Sequence, residues 1–366
     1  MKILVAIDSF KGSATSDELN ASVAQALSTQ DSQLTLQTVA IADGGEGSLL
    51  ALSQALSGKW QRVKTIDLLK PPIEVAYYLS EQRAFIESAS VIGIDKISPS
   101  SVTYAQTTSY GLGAVVKDAI QKGATQIEIM LGGTGTSDGG QGFLQSLDFD
   151  VVAGTSYLSQ LPSPIYLVGL TDVTNPYYGP QGFAPVFGPQ KGGSPSQIKN
   201  TDLTAKAFKA FCQAVRHHRG IDLQTLLGSG AAGGLGGAIA LLGGTLASGF
   251  GRIAELLHLE RHLQSCDLVI TGEGCLDAQS RSGKVPVAIA KMPNKYQIPT
   301  IALCGAITAQ RKELNNLFLA AFSIQRQVLP LSEAMNRERT LSNIKEVTAN
   351  VMAIITYFNE KRSKEV

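Results

Sequence analysis

Residues 41–48, "IADGGEGS", interleave Gly44, Gly45 and Gly47 with two acids, Asp43 and Glu46. The apolar stretch "LQTVAI" precedes them and a helix-like run, "LLALSQAL", follows. A turn needs one or two glycines, and an acid in a turn usually caps a helix. Three bare backbone units also let a ligand approach closely, and a helix start behind them favours anions. Carboxylates there need a cation or a hydroxyl to face. "AIDSFKGS" is built alike: Asp8 ends an apolar run and Lys11 follows three residues on. This is either an Asx turn with a solvated lysine, or a metal or base carboxylate beside a phosphate-reaching ammonium. "TGEGCLDAQSRSGK" gathers Glu273, Asp277, Gln279, Ser280 and Lys284 into residues 271–284. Carboxylates with hydroxyls suit magnesium and a polyol, and Lys284 suits phosphate charge.

Two further loops are rich in glycine. "LGGTGTSDGGQG" (131–142) follows a strand-like run and opens a helix-like one. Gly132, Gly133, Thr134, Thr136 and Ser137 could turn N–H and O–H donors toward phosphate oxygens. It is not a Walker A loop, since GxxxxGK[ST] is absent. "GSGAAGG" holds a formal GxGxxG at Gly228, Gly230 and Gly233. The preceding "DLQTLL" is a poor strand, and Glu255, at about the spacing of a ribose-binding acid, sits in a helical run. Close helix packing or a phosphate-facing helix start is the competing reading. His217 and His218 lie between Arg216 and Arg219 as a solvated basic helix end, and His258 and His262 lack a third ligand nearby. No GxSxG nucleophile elbow occurs, so a serine hydrolase is unsupported.

Alternating strand and helix signals position these loops. "KILVAI" (2–7) reads as a buried parallel strand. Thr15 and Glu18 have capping-box spacing, and Leu19, Val23 and Leu27 carry a helix after them. Residues 36–42 give a second strand. Residues 60–95 change to short β-rich runs about a Pro-Pro turn, which read as hairpins. "YGLGAVVKDAIQKG" is a helix, "TQIEIML" a strand, "QGFLQSL" a helix and "PIYLVGLTDV" a strand. Residues 174–202, rich in Pro, Gly and Tyr around Lys191, read as a long ordered functional loop. "GAAGGLGGAIALLGG" is a small-residue helix, and "CDLVITGEG", "TIALCGAI" and "AAFSIQRQ" are closing strand–turn units. The fold class is α/β: a doubly wound, Rossmann-like parallel-sheet domain built from residues 1–55 and 262–366, with a mixed α/β domain, 56–261, inserted. Ligands of such sheets bind beyond the carboxyl ends of the strands, so Asp8, Asp43 and Glu273 should converge on one cleft.

The 366 residues are 44% apolar and 17% charged, which suits a globular chain with a large core. A formal net charge of +1 and no long basic run argue against a nucleic-acid or polybasic membrane surface. No apolar run reaches membrane-spanning length, and "MKILVAIDSF" is too short in its apolar part for a secretory signal. Cys212, Cys266, Cys275 and Cys304 show no zinc-type spacing and read as reduced, so the expectation is a cytoplasmic protein. The 37 glycines fall in clusters at strand-to-helix turns rather than in linkers.

Taken together, "DSFKGS", "ADGGEGS", "IESAS", "GGTGTSDGGQG", "TDVTNP", "GPQGFAPVFGPQKG", "GSGAAGGLG" and "TGEGCLDAQSRSGKVP" resemble the bacterial glycerate kinase family, in the family's order from residue 8 to 286. The chain departs from the family pattern in three places. The family more often has "GGSATNDGG" for "GGTGTSDGG", an Arg or similar residue at Cys275, and "DVxNPL" for "DVTNPY". The resemblance implies ATP-dependent phosphorylation of D-glycerate with Mg2+, usually to 2-phosphoglycerate and in some members to 3-phosphoglycerate, in a cleft between two α/β domains. From their place at strand ends and in the loops above, Asp8, Lys11, Asp43, Glu46, Lys191, Glu273 and Asp277 are assigned to catalysis. Asp43 or Asp8 would take the hydroxyl proton, and Glu46 or Asp277 would hold the metal. Gly132, Gly133, Thr134, Thr136, Asp138, Gly228, Gly230, Gly233 and Lys284 would hold ATP. Gly44, Gly45, Asp172, Asn175, Gln190, Gln279 and Ser280 would hold D-glycerate. Two rivals stay open: a NAD-dependent hydroxy-acid dehydrogenase using "GSGAAGG", and a non-catalytic organic-acid binding protein, which the clustered carboxylates disfavour. The expected partners are small molecules only, with neither nucleic acid nor membrane, for a monomer or homodimer.

Overall fold

The computed structural model describes residues 1–42, 44–45, 47–215, 221–277 and 285–364. The chain forms two compact units, one of Met1–Asp43 with Ile253–Val366, the other of Gly44–Arg252.

The unit built from both chain ends is an all-parallel sheet ordered Ala320–Ser323, Thr300–Cys304, Leu268–Gly272, Lys2–Ile7, Thr35–Thr38. Alternate side chains of these strands enter two different cores, as the strand period of two demands. Ile3, Val5, Ile7, Ile270, Ile301 and Leu303 pack with Leu19 and Val23 of helix Ser16–Gln30 and Ile344 and Val351 of helix Arg337–Lys364. Ala302 and Cys304 instead pack with Val287 and Ala290 of helix Val285–Asn294 and with Leu314 and Phe318. Helices therefore cover both faces, which makes the sheet doubly wound. The capping box is present in both directions: Glu18 N–H donates to Thr15 Oγ1 and Thr15 N–H to Glu18 Oε2. The second strand stops at Thr38, short of the expected residue 42. Helix Arg337–Lys364 was not read from the sequence, because Thr340 and Thr348 interrupt its buried stripe and dilute the apolar period.

The Gly44–Arg252 unit carries a six-stranded mixed sheet. Lys59–Ile66, Pro72–Ser80 and Arg83–Glu87 pair antiparallel, the hairpins expected about the Pro-Pro turn. Gln126–Met130, Tyr166–Leu170 and Thr245–Ala247 then add in parallel, with Ile86, Ile129 and Gly169 in register. Thr245–Ala247 has only three residues and no fully buried side chain, so no apolar run announces it.

Two boundaries differ from expectation, falling after Asp43 and after Arg252 instead of 55 and 261. Helix Ser48–Ala55 belongs with the second sheet. Its Leu49 N–H donates to Glu87 Oε1 at 2.9 Å, and Tyr78 Oη donates to the Leu56 carbonyl at 2.6 Å. Residues 174–202 are also not one long loop. Phe183–Phe187 is helical, and Ser194 caps helix Pro195–Ala214 in a capping box with Pro195 at its first position, where a missing N–H costs nothing.

Candidate active site

Within the end-built unit, the strands Lys2–Ile7 and Leu268–Gly272 flank the point where the strand order reverses, the usual ligand site of this topology. Asp8 and Glu273 follow these two strands directly. Asp8 N–H continues the ladder to the Gly272 carbonyl at 2.9 Å. Their side chains, 8% and 7% exposed, line one cavity of about 480 Å³ together with Lys11 and Ser13. The "DSFKGS" loop is tightly folded: Phe10 N–H meets Ala14 O at 2.9 Å and Ser13 N–H meets Phe10 O at 2.8 Å. Gly12 lies at φ +74°, and a Cβ there would come within 2.8 Å of Met335 Cε, so this glycine serves both conformation and contact. Ser13 Oγ and Thr340 Oγ1 are 2.7 Å apart, tying the loop to the C-terminal helix. Asp277 is half-buried after the short pair Cys275–Leu276 with Ala306–Ile307 and is not among the residues lining this cavity. Asp43, Glu46, Gln279, Ser280 and Lys284 lie outside the described residues.

Within the inserted unit the glycine loops lock onto one another. A Cβ on Gly44, at φ +83°, would meet Gly249 Cα at 2.7 Å, and one on Gly132 would meet Gly45 Cα at 2.9 Å. A Cβ on Gly233 would lie 2.0 Å from the Thr136 carbonyl. Gly47 faces open space at φ +88°, at the start of helix Ser48–Ala55. Most of these glycines thus permit backbone to meet backbone, where the sequence suggested backbone meeting ligand. The N–H groups of Gly135, Gly139, Gly140 and Gly142 bond Ile92 O, Gly233 O and the two oxygens of Asp138, so four donors of the 131–142 loop are taken up internally. Thr134 is zipped against Gly93, and Gly133 O accepts from Ile94 N–H.

Asp138 is held by its own surroundings. Its Oδ2 also accepts from Ser109 N–H at 2.7 Å and Ser109 Oγ at 2.8 Å. Tyr177, fully buried against Phe183, donates its hydroxyl to Gly139 O at 2.6 Å and pins the same loop. Lys191, 2% exposed, donates Nζ–H to the Thr136 carbonyl at 2.7 Å. Burial pushes its ammonium down to about 8, and the Asp138 charge works against that shift. Among the described residues, the buried hydroxyls of Thr136 and Ser137 have no hydrogen-bond partner, so the loop keeps two side-chain donors beside the lysine. Gln190 is exposed next to it. Asp172 caps helix Gly249–Leu256, accepting from Ser248 Oγ at 2.7 Å and Phe250 N–H at 3.1 Å. Asn175 braces the "GSGAAGG" segment, its carbonyl accepting from Gly230 N–H at 3.0 Å.

The dinucleotide reading of "GSGAAGG" has no structural footing. Among the described residues no strand leads into it, and Ala232, Gly233 and Gly234 kink helix Ala231–Leu241 with left-handed φ of 54°, 69° and 97°. Gly228 packs on Thr171 and Val173, and Gly230 on Pro176. Sequence reasoning passed over two features. Glu128, fully buried, is gripped by Arg252 through Nε at 3.0 Å and Nη2 at 2.8 Å, a pairing across 124 residues that spacing does not signal. Gln325 lines the end-built unit's cavity, and its position just past the strand Ala320–Ser323 was the available clue. Among the described residues no three His, Cys, Asp or Glu side chains form a metal cluster. Magnesium on a nucleotide needs only one or two carboxylates besides phosphate and water, and Asp8 with Glu273 fits that donor set.

The sequence profile of the glycerate kinase family matches residues 3–158 and 154–356. The glycerate 2-kinase of Escherichia coli is 32% identical, over 97% of this chain and 98% of its own. The glycerate kinase of Haemophilus influenzae is 30% identical over 96% and 99%. The crystal structure of a putative glycerate kinase 2 from Salmonella typhimurium superposes with a TM-score of 0.83 at 30% identity, over 98% of this chain and 99% of that one.

Proposed function

This chain belongs to the glycerate kinase family, and on that premise we propose that it transfers the γ-phosphoryl group of ATP to the 2-hydroxyl of D-glycerate, giving 2-phosphoglycerate and ADP. The observation that carries the reading is the meeting of Asp8, Lys11 and Glu273 in one cavity at the switch point of a doubly wound sheet. The name of the Escherichia coli relative supports the 2-position.

Phosphoryl transfer asks for positioning, charge neutralisation and an oriented hydroxyl. Asp8 takes the proton as the glycerate oxygen attacks the γ-phosphorus, and the bond to the β-phosphate oxygen breaks to release ADP. Asp43 is the other candidate for that proton. Lys11 sets a positive charge against the phosphates. Glu273 would hold Mg2+, whose charge would neutralise the phosphate oxygens, and Glu46 and Asp277 stay the sequence's own candidates for the metal. Within the other unit, Lys191 and the hydroxyls of Thr136 and Ser137 suit an anionic group, and Gln279, Ser280 and Lys284 stay within the reading. A cytoplasmic location is supported by four unpaired thiols, and the assembly proposed is a monomer or homodimer. Among the described residues no helix is long and apolar enough to cross a membrane.

The test is a coupled ADP-release assay over small hydroxy acids, with phosphorus NMR of the product. ADP release that depends on D-glycerate and yields the 2-phosphate is expected. Release independent of glycerate would end the reading.

A further inference from the structure

The cavity beyond Asp8 and Glu273 has a second wall that the phosphoryl chemistry does not use. Three residues on the segment after the last strand, Leu331, Ala334 and Met335, line it with Phe10. At about 480 Å³ the cavity is far larger than a three-carbon acid needs, and an acid gains nothing from apolar walls. Leu331 is 74% exposed, a large apolar side chain held at the cavity without cover of its own. Gln325 lies among these apolar groups. Its backbone N–H bonds Ser323 Oγ at 3.2 Å, and its Nε2 reaches the Ala334 carbonyl at 3.4 Å, which orients the amide. Its Oε1 is buried and, among the described residues, has no hydrogen-bond partner. A buried acceptor without a donor is costly unless a ligand brings one.

We propose that this cavity is the adenine site, in which Phe10, Leu331 and Met335 cover the ring and Gln325 Oε1 accepts from the exocyclic amine of the base. The inference rests on the ATP-dependent kinase reading and assigns its nucleotide to the end-built unit, whereas the sequence had suggested the 132–140 and 228–234 loops. A flat aromatic base fits apolar walls, and an amine donor fits an acceptor-only vacancy. A guanine presents a carbonyl at the corresponding position and would set acceptor against acceptor. Gln325 is thereby a specificity residue for the phosphoryl donor, and the triphosphate leads from it toward Lys11, Asp8 and Glu273.

Two measurements test this. The first compares ATP with GTP as donors. The wild type is expected to prefer ATP by about tenfold or more in kcat/KM, and Gln325→Leu to collapse that ratio, because a polar site rejects an analogue that leaves its groups unpaired. Leu331→Asp, at an exposed position that tolerates charge, is expected to raise the KM for ATP roughly tenfold while that for D-glycerate holds within about twofold. The second uses Cys275, the exposed cysteine of the four, which lines the same cavity. ADP, and adenosine alone, should slow its labelling by a thiol reagent, with peptide mapping and Cys275→Ser as controls. An unchanged ATP/GTP ratio in folded Gln325→Leu overturns the inference, as does protection of Cys275 by D-glycerate but not by ADP. The two readings fail differently. If the wild type releases no ADP with glycerate, the kinase reading falls while ADP protection still marks a nucleotide site. If ADP is released and Cys275 stays unprotected, the adenine site alone falls.

Discussion

Lys191 is the residue whose replacement tests the structure most sharply. Its ammonium is 2% exposed and held near 8 instead of 10.5. At 1.36 kcal/mol per pH unit, keeping that group charged in the fold at pH 7 costs about 3 kcal/mol relative to the unfolded chain. The amine returns one hydrogen bond, to the Thr136 carbonyl, worth about 1 kcal/mol. Lys191→Met, of similar length and without the charge, should therefore be more stable than the wild type at pH 7 by about 2 kcal/mol. The sign follows from linkage. Below about 8 both states of the wild type hold the proton, so its stability is flat with pH. Between about 8 and 10.5 the folded state has released the proton and the unfolded state has not, so the wild type gains stability as pH rises, by at most 1.36 kcal/mol per unit. Most of the variant's advantage should be gone by pH 10. Urea unfolding of both proteins at pH 7, 8, 9 and 10 measures this directly. A difference that stays constant from pH 7 to 10 would refute the buried ammonium. On the proposed function the same variant should lose turnover, and the wild-type rate should decline above about pH 8, where an ordinary lysine would hold its charge to about 10.

Three further outcomes follow from particular contacts. Asp8→Asn should lower kcat by about a hundredfold or more while the urea midpoint stays put, since the Asn oxygen can still accept from Ser9 N–H at 2.7 Å; near-normal turnover would pass the proton to Asp43. Gly233→Ala would drive a methyl to 2.0 Å from the Thr136 carbonyl and should prevent folding or destabilise by several kcal/mol, whereas Gly47→Ala, left-handed in open space, should cost about 1–2 kcal/mol by urea unfolding. Arg252→Met should destabilise by about 3–5 kcal/mol, because among the described residues it leaves the fully buried Glu128 carboxylate with only Arg83 Nε at 3.5 Å as a cationic neighbour; a loss under about 1 kcal/mol would mean that water reaches Glu128.

Local signals carried the architecture. Residues 3–7 are an unbroken apolar run buried on both faces, and Thr15 with Glu18 places the first helix start through neighbouring backbone groups, so both were legible from a few consecutive residues. The Pro-Pro turn likewise announced the hairpin pairing of Lys59–Ile66 with Pro72–Ser80. The strand-end acids Asp8 and Glu273 were legible too, because strand termini and the switch-point rule both follow from sequence order. The glycines needed the fold: a sequence shows that a Cβ is missing but not what fills the space. Only the tertiary structure presses Gly44 on Gly249, Gly132 on Gly45 and Gly233 on Thr136. The same holds for Asp138 and Asp172, whose carboxylates close hydrogen bonds within the protein, and for Gln325, whose meaning depends on Leu331 and Phe10 arriving from distant segments. Hydrogen bonds and steric contacts act between atoms that the chain separates by up to hundreds of residues. The sequence by itself determined which residues could do chemistry, and packing decided which of them line a cavity and which are bound up within the protein.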